Sequence, residues 1–151
     1  MSGATDRLDN DPYCSAVPKE SVILKWVQEN GFLRPLITVR LNYRGNEQGA
    51  VMLLDTGADT SILPRRYVDL LGIDRGDLKT AAAHGLGGRS EVLMGKKRIR
   101  VQAEIAGYFN VQIPIEFGIN DSIPPILGRD ALFGDFELRM NRREIELRRV
   151  S

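Results

Sequence analysis

Residues 51–64 hold four consecutive apolar side chains, Val51, Met52, Leu53 and Leu54, that stop on a carboxylate, Asp55, before Thr56, Gly57, Ala58, Asp59, Thr60 and Ser61 lead into a second apolar pair, Ile62 and Leu63, and Pro64. An unbroken apolar run of this length suits a strand covered on both faces. The Asp-Thr-Gly that follows supplies an acid, a hydroxyl and a turn-permissive backbone. A carboxylate at the end of a buried strand is costly unless its oxygens find donors, so an Asp in this position standing alone reads as the cap of a turn.

The flanking chain reads mostly as strands. Glu20 to Asn30 holds Val22, Ile23, Leu24, Trp26 and Val27, which fit either an edge strand or a short helix; periodicity does not decide between them. Trp26, the only tryptophan, reads as a packing residue. From Leu33 a β-rich run containing Leu36, Ile37, Val39 and Leu41 reaches Tyr43-Arg44-Gly45-Asn46, which predicts a hairpin into the Asp55 strand. Beyond Pro64, Tyr67, Leu70 and Leu71 lie near helical spacing ahead of Gly72, a short helix with a glycine stop. Two arms, Leu78 to Ala83 and Arg89 to Met94, flank His84-Gly85-Leu86-Gly87-Gly88 and predict a hairpin with a glycine-rich tip. No Lys-Ser or Lys-Thr follows those glycines, which sets aside a phosphate-binding loop. Ile99, Val101, Ala103 and Ile105, then Val111, Ile113, Ile115 and Phe117, alternate as two half-buried strands around a turn at Gly107. Residues 136–140 and 144–147 alternate around Asn141-Arg142-Arg143 as a closing hairpin.

Bulk properties narrow the function classes. A length of 151 residues favours one domain with one modest core. Residues 20–151 are expected to form it, and residues 1–19, polar and containing Asp6, Asp9, Asp11, Pro12 and Pro18, are expected to be a disordered leader. With 21 basic and 20 acidic residues, net charge gives no footprint for nucleic acid or an anionic membrane, and polypeptide partners fit better. Arg142, Arg143, Arg148 and Arg149 alternate with Glu144 and Glu146 in a solvated face. Cys14 is the only cysteine, so no intramolecular disulfide forms, and no run is long enough for a membrane helix; a cytoplasmic location is expected. The single histidine, His84, has no clustered partner for a metal or a nucleophilic relay.

Three stretches together resemble the retroviral-type aspartic proteases, the retropepsins: Leu53 to Thr60 as the active-site loop, Pro125 to Leu132 with its Gly128-Arg129-Asp130 as the second motif, and His84 to Gly88 as a glycine-rich flap tip. They occur in the family's order and span Phe32 to Val150, and the long C-terminal hairpin is more similar to the cellular and bacterial members than to the viral ones. The resemblance implies an all-β, closed or partly closed barrel with a flap hairpin and one or two short helices, needing neither metal nor organic cofactor. It implies that Asp55 is catalytic, that the Thr56 hydroxyl bonds across a dimer, and that Gly57 meets the substrate backbone. Ala58 belongs to the supporting loop, Asp59 and Arg129 brace it as a partly buried pair, and His84, Gly85, Leu86, Gly87 and Gly88 cover the substrate. Asp130 departs from the asparagine of many viral enzymes.

Peptide hydrolysis by this chemistry needs two carboxylates that share one proton, because neighbouring like charges do not both ionise cheaply. The chain has one Asp-Thr-Gly, which excludes a two-lobed monomer and leads to the expectation of a homodimer with one Asp55 from each copy, acting on polypeptides. Apolar faces of the last hairpin are expected to contribute to that interface. The alternative from a different class is a retropepsin fold without turnover, a peptide-binding, dimerising or latent module.

Overall fold

The computed structural model describes residues 20–85, 88–132 and 134–150, and at 84, 85, 88 and 89 the backbone alone. Fourteen strands and two short helices are described. In chain order they are β1 (Ser21–Lys25), β2 (Val27–Glu29), β3 (Phe32–Arg34), β4 (Leu36–Tyr43), β5 (Asn46–Leu54), β6 (Ile62–Leu63), α1 (Arg66–Leu70), a 3₁₀ turn at Arg75–Asp77, β7 (Leu78–Gly85), β8 (Gly88–Gly95), β9 (Arg100–Ile105), β10 (Phe109–Pro114), β11 (Glu116–Gly118), β12 (Ile126–Leu127), α2 (Arg129–Leu132), β13 (Phe136–Met140) and β14 (Glu144–Arg149).

Nine strands form one sheet in the order β10-β9-β4-β5-β12-β6-β11-β8-β7, curled into a half-barrel. A three-stranded sheet, β1-β14-β13, packs against it, and β2 with β3 makes a separate hairpin. The all-β expectation therefore holds in its partly closed form.

Local chemistry accounts for the hairpins. β4 and β5 meet through Arg44 and Gly45, at φ 50° and 91°. Positive φ at both central residues is the two-residue turn whose twist matches the strands it joins. The ambiguous N-terminal stretch is extended: β1 pairs antiparallel with β14, and Asn30-Gly31, at φ 52° and 82°, turns β2 into β3. α1 runs over the predicted segment and stops at Gly72, which adopts φ 69°.

The core fills from alternating positions: Ile37, Val39 and Leu41 on β4, Val101, Ala103 and Ile105 on β9, and Ile113 on β10. Phe109 and Phe136, with ring centroids 5.0 Å apart and edge to face, lock the small sheet onto the large one. Trp26 Nε1 donates to Asn141 O at 2.8 Å and ties the chain leaving β1 to the β13–β14 turn.

Two expectations are corrected. The Val51–Leu54 run is covered on one face only: Met52 and Leu54 are buried, but Val51 is 55% exposed, because β5 has the core on one side and no layer of the same chain on the other. The second run, Val111 to Phe117, is two strands. After Pro114 the chain leaves β9, and β11 pairs instead with β6 and β8. In the closing hairpin, Ile145 and Leu147 are fully buried in the core. Among the described residues, the large apolar side chains left exposed on and beside the small sheet include Ile23, Val27, Phe32, Leu33, Met140 and Val150.

Candidate active site

Asp55 follows the last residue of β5, and its loop is held by a strand that arrives from far along the chain. β12 lies between β5 and β6, parallel to the first and antiparallel to the second. Leu53 N donates to Pro125 O at 2.8 Å and Asp55 N to Leu127 O at 3.1 Å, so the backbone entering the loop is fixed up to the carboxylate itself. On the other side, Leu54 N donates to Pro35 O at 2.9 Å.

Within the loop, Gly57 N donates to Asp55 Oδ1 at 2.9 Å and Ala58 N to Asp55 O at 3.2 Å. Asp55 thus caps its own turn, as its position at a strand end requires, while remaining partly open to solvent. A Cβ added to Gly57 would lie 3.3 Å from that carboxylate oxygen, so any larger residue crowds the acid. Thr56 is exposed, and among the described residues its hydroxyl has no hydrogen-bond partner.

The second motif returns along the same loop. Arg129 N donates to Ala58 O at 2.9 Å and Asp130 N to Asp59 O at 3.3 Å. The Arg129 guanidinium pairs with the Asp59 carboxylate, but the Asp59 side chain is 77% exposed. The expected partly buried brace is therefore a solvated one, and the stiffness of the loop resides in its backbone bonds.

A buried hydroxyl completes the support. Ser61, fully buried, accepts from Gly128 N at 3.0 Å and donates to Asp130 Oδ1 at 2.8 Å. Thr60 Oγ1 donates to Glu116 Oε1 at 3.1 Å. In the sequence the only signal for Ser61 is its place directly before the apolar pair Ile62-Leu63, where a hydroxyl drawn into the core must find partners. Asp130, left without a role from the sequence, is the acceptor of that bond. Gly128 is where the two segments touch: a Cβ there would stand 2.3 Å from Thr60 O and 2.9 Å from Ala58 O.

Along the β7–β8 ladder, His84 pairs with Arg89 and Gly85 with Gly88 through the backbone. Leu86 and Gly87 lie outside the described residues. These two strands adjoin the half of the sheet that carries Asp55 through β11, which pairs with both β8 and β6. Among the described residues no three His, Cys, Asp or Glu side chains converge to hold a metal, and no helix is long and apolar enough to cross a membrane.

A family model described as aspartyl protease matches residues 37–131, from the first strand of the core to α2, and includes both halves of the loop just described. The chain belongs to the aspartyl protease family. In fold this aspartyl protease family member is similar to a retropepsin-like aspartic protease from Rickettsia conorii. The two are 21% identical, with a TM-score of 0.58 over 85% of this chain and 88% of that one. The resemblance to retropepsins, and to their bacterial members, is borne out by these two matches. A search of curated proteins finds no match.

Proposed function

We propose that the protein is an aspartic endopeptidase that works as a homodimer, with Asp55 from each copy forming one catalytic pair. The observation that carries this reading is the loop itself: a single partly exposed carboxylate at the end of β5, its backbone fixed by β12, in a chain of the aspartyl protease family. One such carboxylate is half of the required chemistry. In the pair, one Asp55 takes a proton from water as the water attacks the scissile carbonyl, and the protonated partner donates to the carbonyl oxygen. The two acids titrate as a unit. The exposed Thr56 hydroxyl, without a hydrogen-bond partner among the described residues, supports the dimer, since it would be free to bond to the equivalent loop of a second copy. The polypeptide would lie extended between the Asp55 loops and the β7–β8 hairpins, reading main-chain hydrogen bonds as an added strand. Gly57 then faces its backbone, and residues 84–88 close over it.

The test is digestion of a denatured protein mixture from acid to neutral pH, at several enzyme concentrations, by the wild type and by Asp55→Asn. Turnover that vanishes in the variant and rises more steeply than linearly with dilute enzyme is the expected result. Equal behaviour of the two proteins at every pH refutes the enzyme reading.

A further inference from the structure

The near-zero net charge hides a segregated one. A groove of about 790 Å³ is lined by Arg44, Lys96, Lys97, Arg98 and Arg100 against one carboxylate, Asp77. The cations come from separate places in the chain: the β4–β5 turn, the β8–β9 connection and β9. All five are exposed, and among the described residues none is in an ion pair. Like charges gathered without counterions repel, so the backbone must hold them together. It does so here. Lys96 N donates to Asp77 O at 2.7 Å, Ile115 N donates to Ile99 O at 3.0 Å, and Ile99 is buried. The turn is so tight that a Cβ on Gly95 would stand 2.1 Å from Lys97 O.

We infer that this groove is an exosite for an acidic segment of the polypeptide substrate; the inference rests on the endopeptidase reading. The floor favours polypeptide over nucleic acid. Gln102 and Gln112 lie in register across β9 and β10 and line the same groove, offering amides that both donate to and accept from peptide groups, while Asn42 beside them on β4 is held by Glu47 and Gly45 N. The one aromatic ring in the lining, Tyr43, already carries the Arg44 guanidinium at 5.0 Å from its centroid, which removes the stacking platform that single-stranded nucleic acid uses. Asp77 interrupts what would otherwise be an unbroken phosphate track.

The location sets the spacing. The β4–β5 turn, which carries Arg44, and Asp55 lie at opposite ends of the nine-residue β5, about 30 Å apart at roughly 3.3 Å per residue. An extended substrate spans that with about ten residues. The acidic tract therefore lies about ten residues from the cut bond and adds binding without touching the catalytic pair.

The experiment has two arms. In the Asp55→Asn protein, binding of a fluorescein-labelled hexaglutamate peptide is followed by anisotropy, with and without Lys97→Gln, Arg98→Gln and Arg100→Gln together. Binding should weaken about tenfold in the triple variant, given the modest strength of each exposed charge, and should fall steeply with added salt. Binding unchanged by the substitutions, absent altogether, or exceeded by that of a twelve-nucleotide RNA overturns the assignment. In the active protein, a cleaved peptide is extended with a hexaglutamate or a hexaserine tract about ten residues from its cut site. The glutamate version should show the higher kcat/KM, with the advantage lost in the triple variant while the serine version is cut equally by both proteins. Equal cleavage of the two peptides by the wild type overturns the exosite. No cleavage of either peptide refutes the protease reading instead, and leaves the binding arm to decide the groove.

Discussion

Gly128→Ala is the smallest change that tests how the Asp55 loop is held. The added methyl would sit 2.3 Å from Thr60 O, 2.6 Å from the Thr60 carbonyl carbon and 2.9 Å from Ala58 O. Ordinary carbon–oxygen contact needs roughly 3.4 Å, so β12 and the loop must separate by about 1 Å, and packed backbone does not yield as a flexible side chain would. That displacement strains three hydrogen bonds: Gly128 N to Ser61 Oγ, Arg129 N to Ala58 O and Asp130 N to Asp59 O. Overpacking costs about 1–3 kcal/mol and each weakened bond about 1 kcal/mol at most. A loss of about 2–5 kcal/mol is expected, which for a chain of this size lowers Tm by roughly 5–20 °C. Urea unfolding gives the free energy and peptide cleavage gives kcat. The matched control is Gly49→Ala, on β5, where a Cβ meets nothing within 4 Å. If Gly128→Ala loses no more stability than the control and keeps its kcat, the loop is not held by this contact.

Three further outcomes follow from the same geometry. Ser61→Ala removes the acceptor of Gly128 N and the donor to Asp130, leaving a buried amide unpaired; a loss of about 1–3 kcal/mol in urea unfolding is expected, with kcat reduced. Arg129→Gln breaks only a solvated ion pair, so its stability change should stay within about 1 kcal/mol, and a larger loss would place the brace in the side chains after all. The Arg148 guanidinium, first by its hydrogen bond and then by its charge, holds the half-exposed Glu137 carboxyl below its ordinary value of 4.5 despite an opposing desolvation effect. A depressed folded-state value stabilises the fold above the ordinary value, and that contribution is lost as pH falls from there through the depressed one. Tm measured against pH should therefore drop over this acid range in the wild type, and by less in Glu137→Gln.

The hairpins and the loop were legible because short-range chemistry dictates them. Asp55-Thr56-Gly57 at the end of an apolar run, and Arg44-Gly45 between two alternating runs, leave few other backbone paths. Asn30-Gly31 carried the same turn signal and would have resolved the ambiguous N-terminal stretch in favour of strands. What stayed hidden depended on distant partners. Val111, Ile113, Ile115 and Phe117 keep a period of two through the point where the chain changes neighbours, so alternation does not reveal the break after Pro114. Val51 looks as buried as Met52 in an apolar run, and only the placement of the sheet separates them. The role of Ser61 depends on Gly128 and Asp130, 67 and 69 positions away. The cationic groove was invisible in the net charge because its residues are dispersed along the chain and opposite charges elsewhere cancel them.

The insertion of β12 between β5 and β6 also dictates when the site comes into being. Leu53 and its partner Ile126 are 73 positions apart, and closing so long a loop is one of the slower events in assembling a sheet. On a ribosome adding roughly 5–20 residues per second, Asp55 is made about 4–15 s before the strand that fixes it. Throughout that interval the nascent chain carries the acid on an unbraced turn.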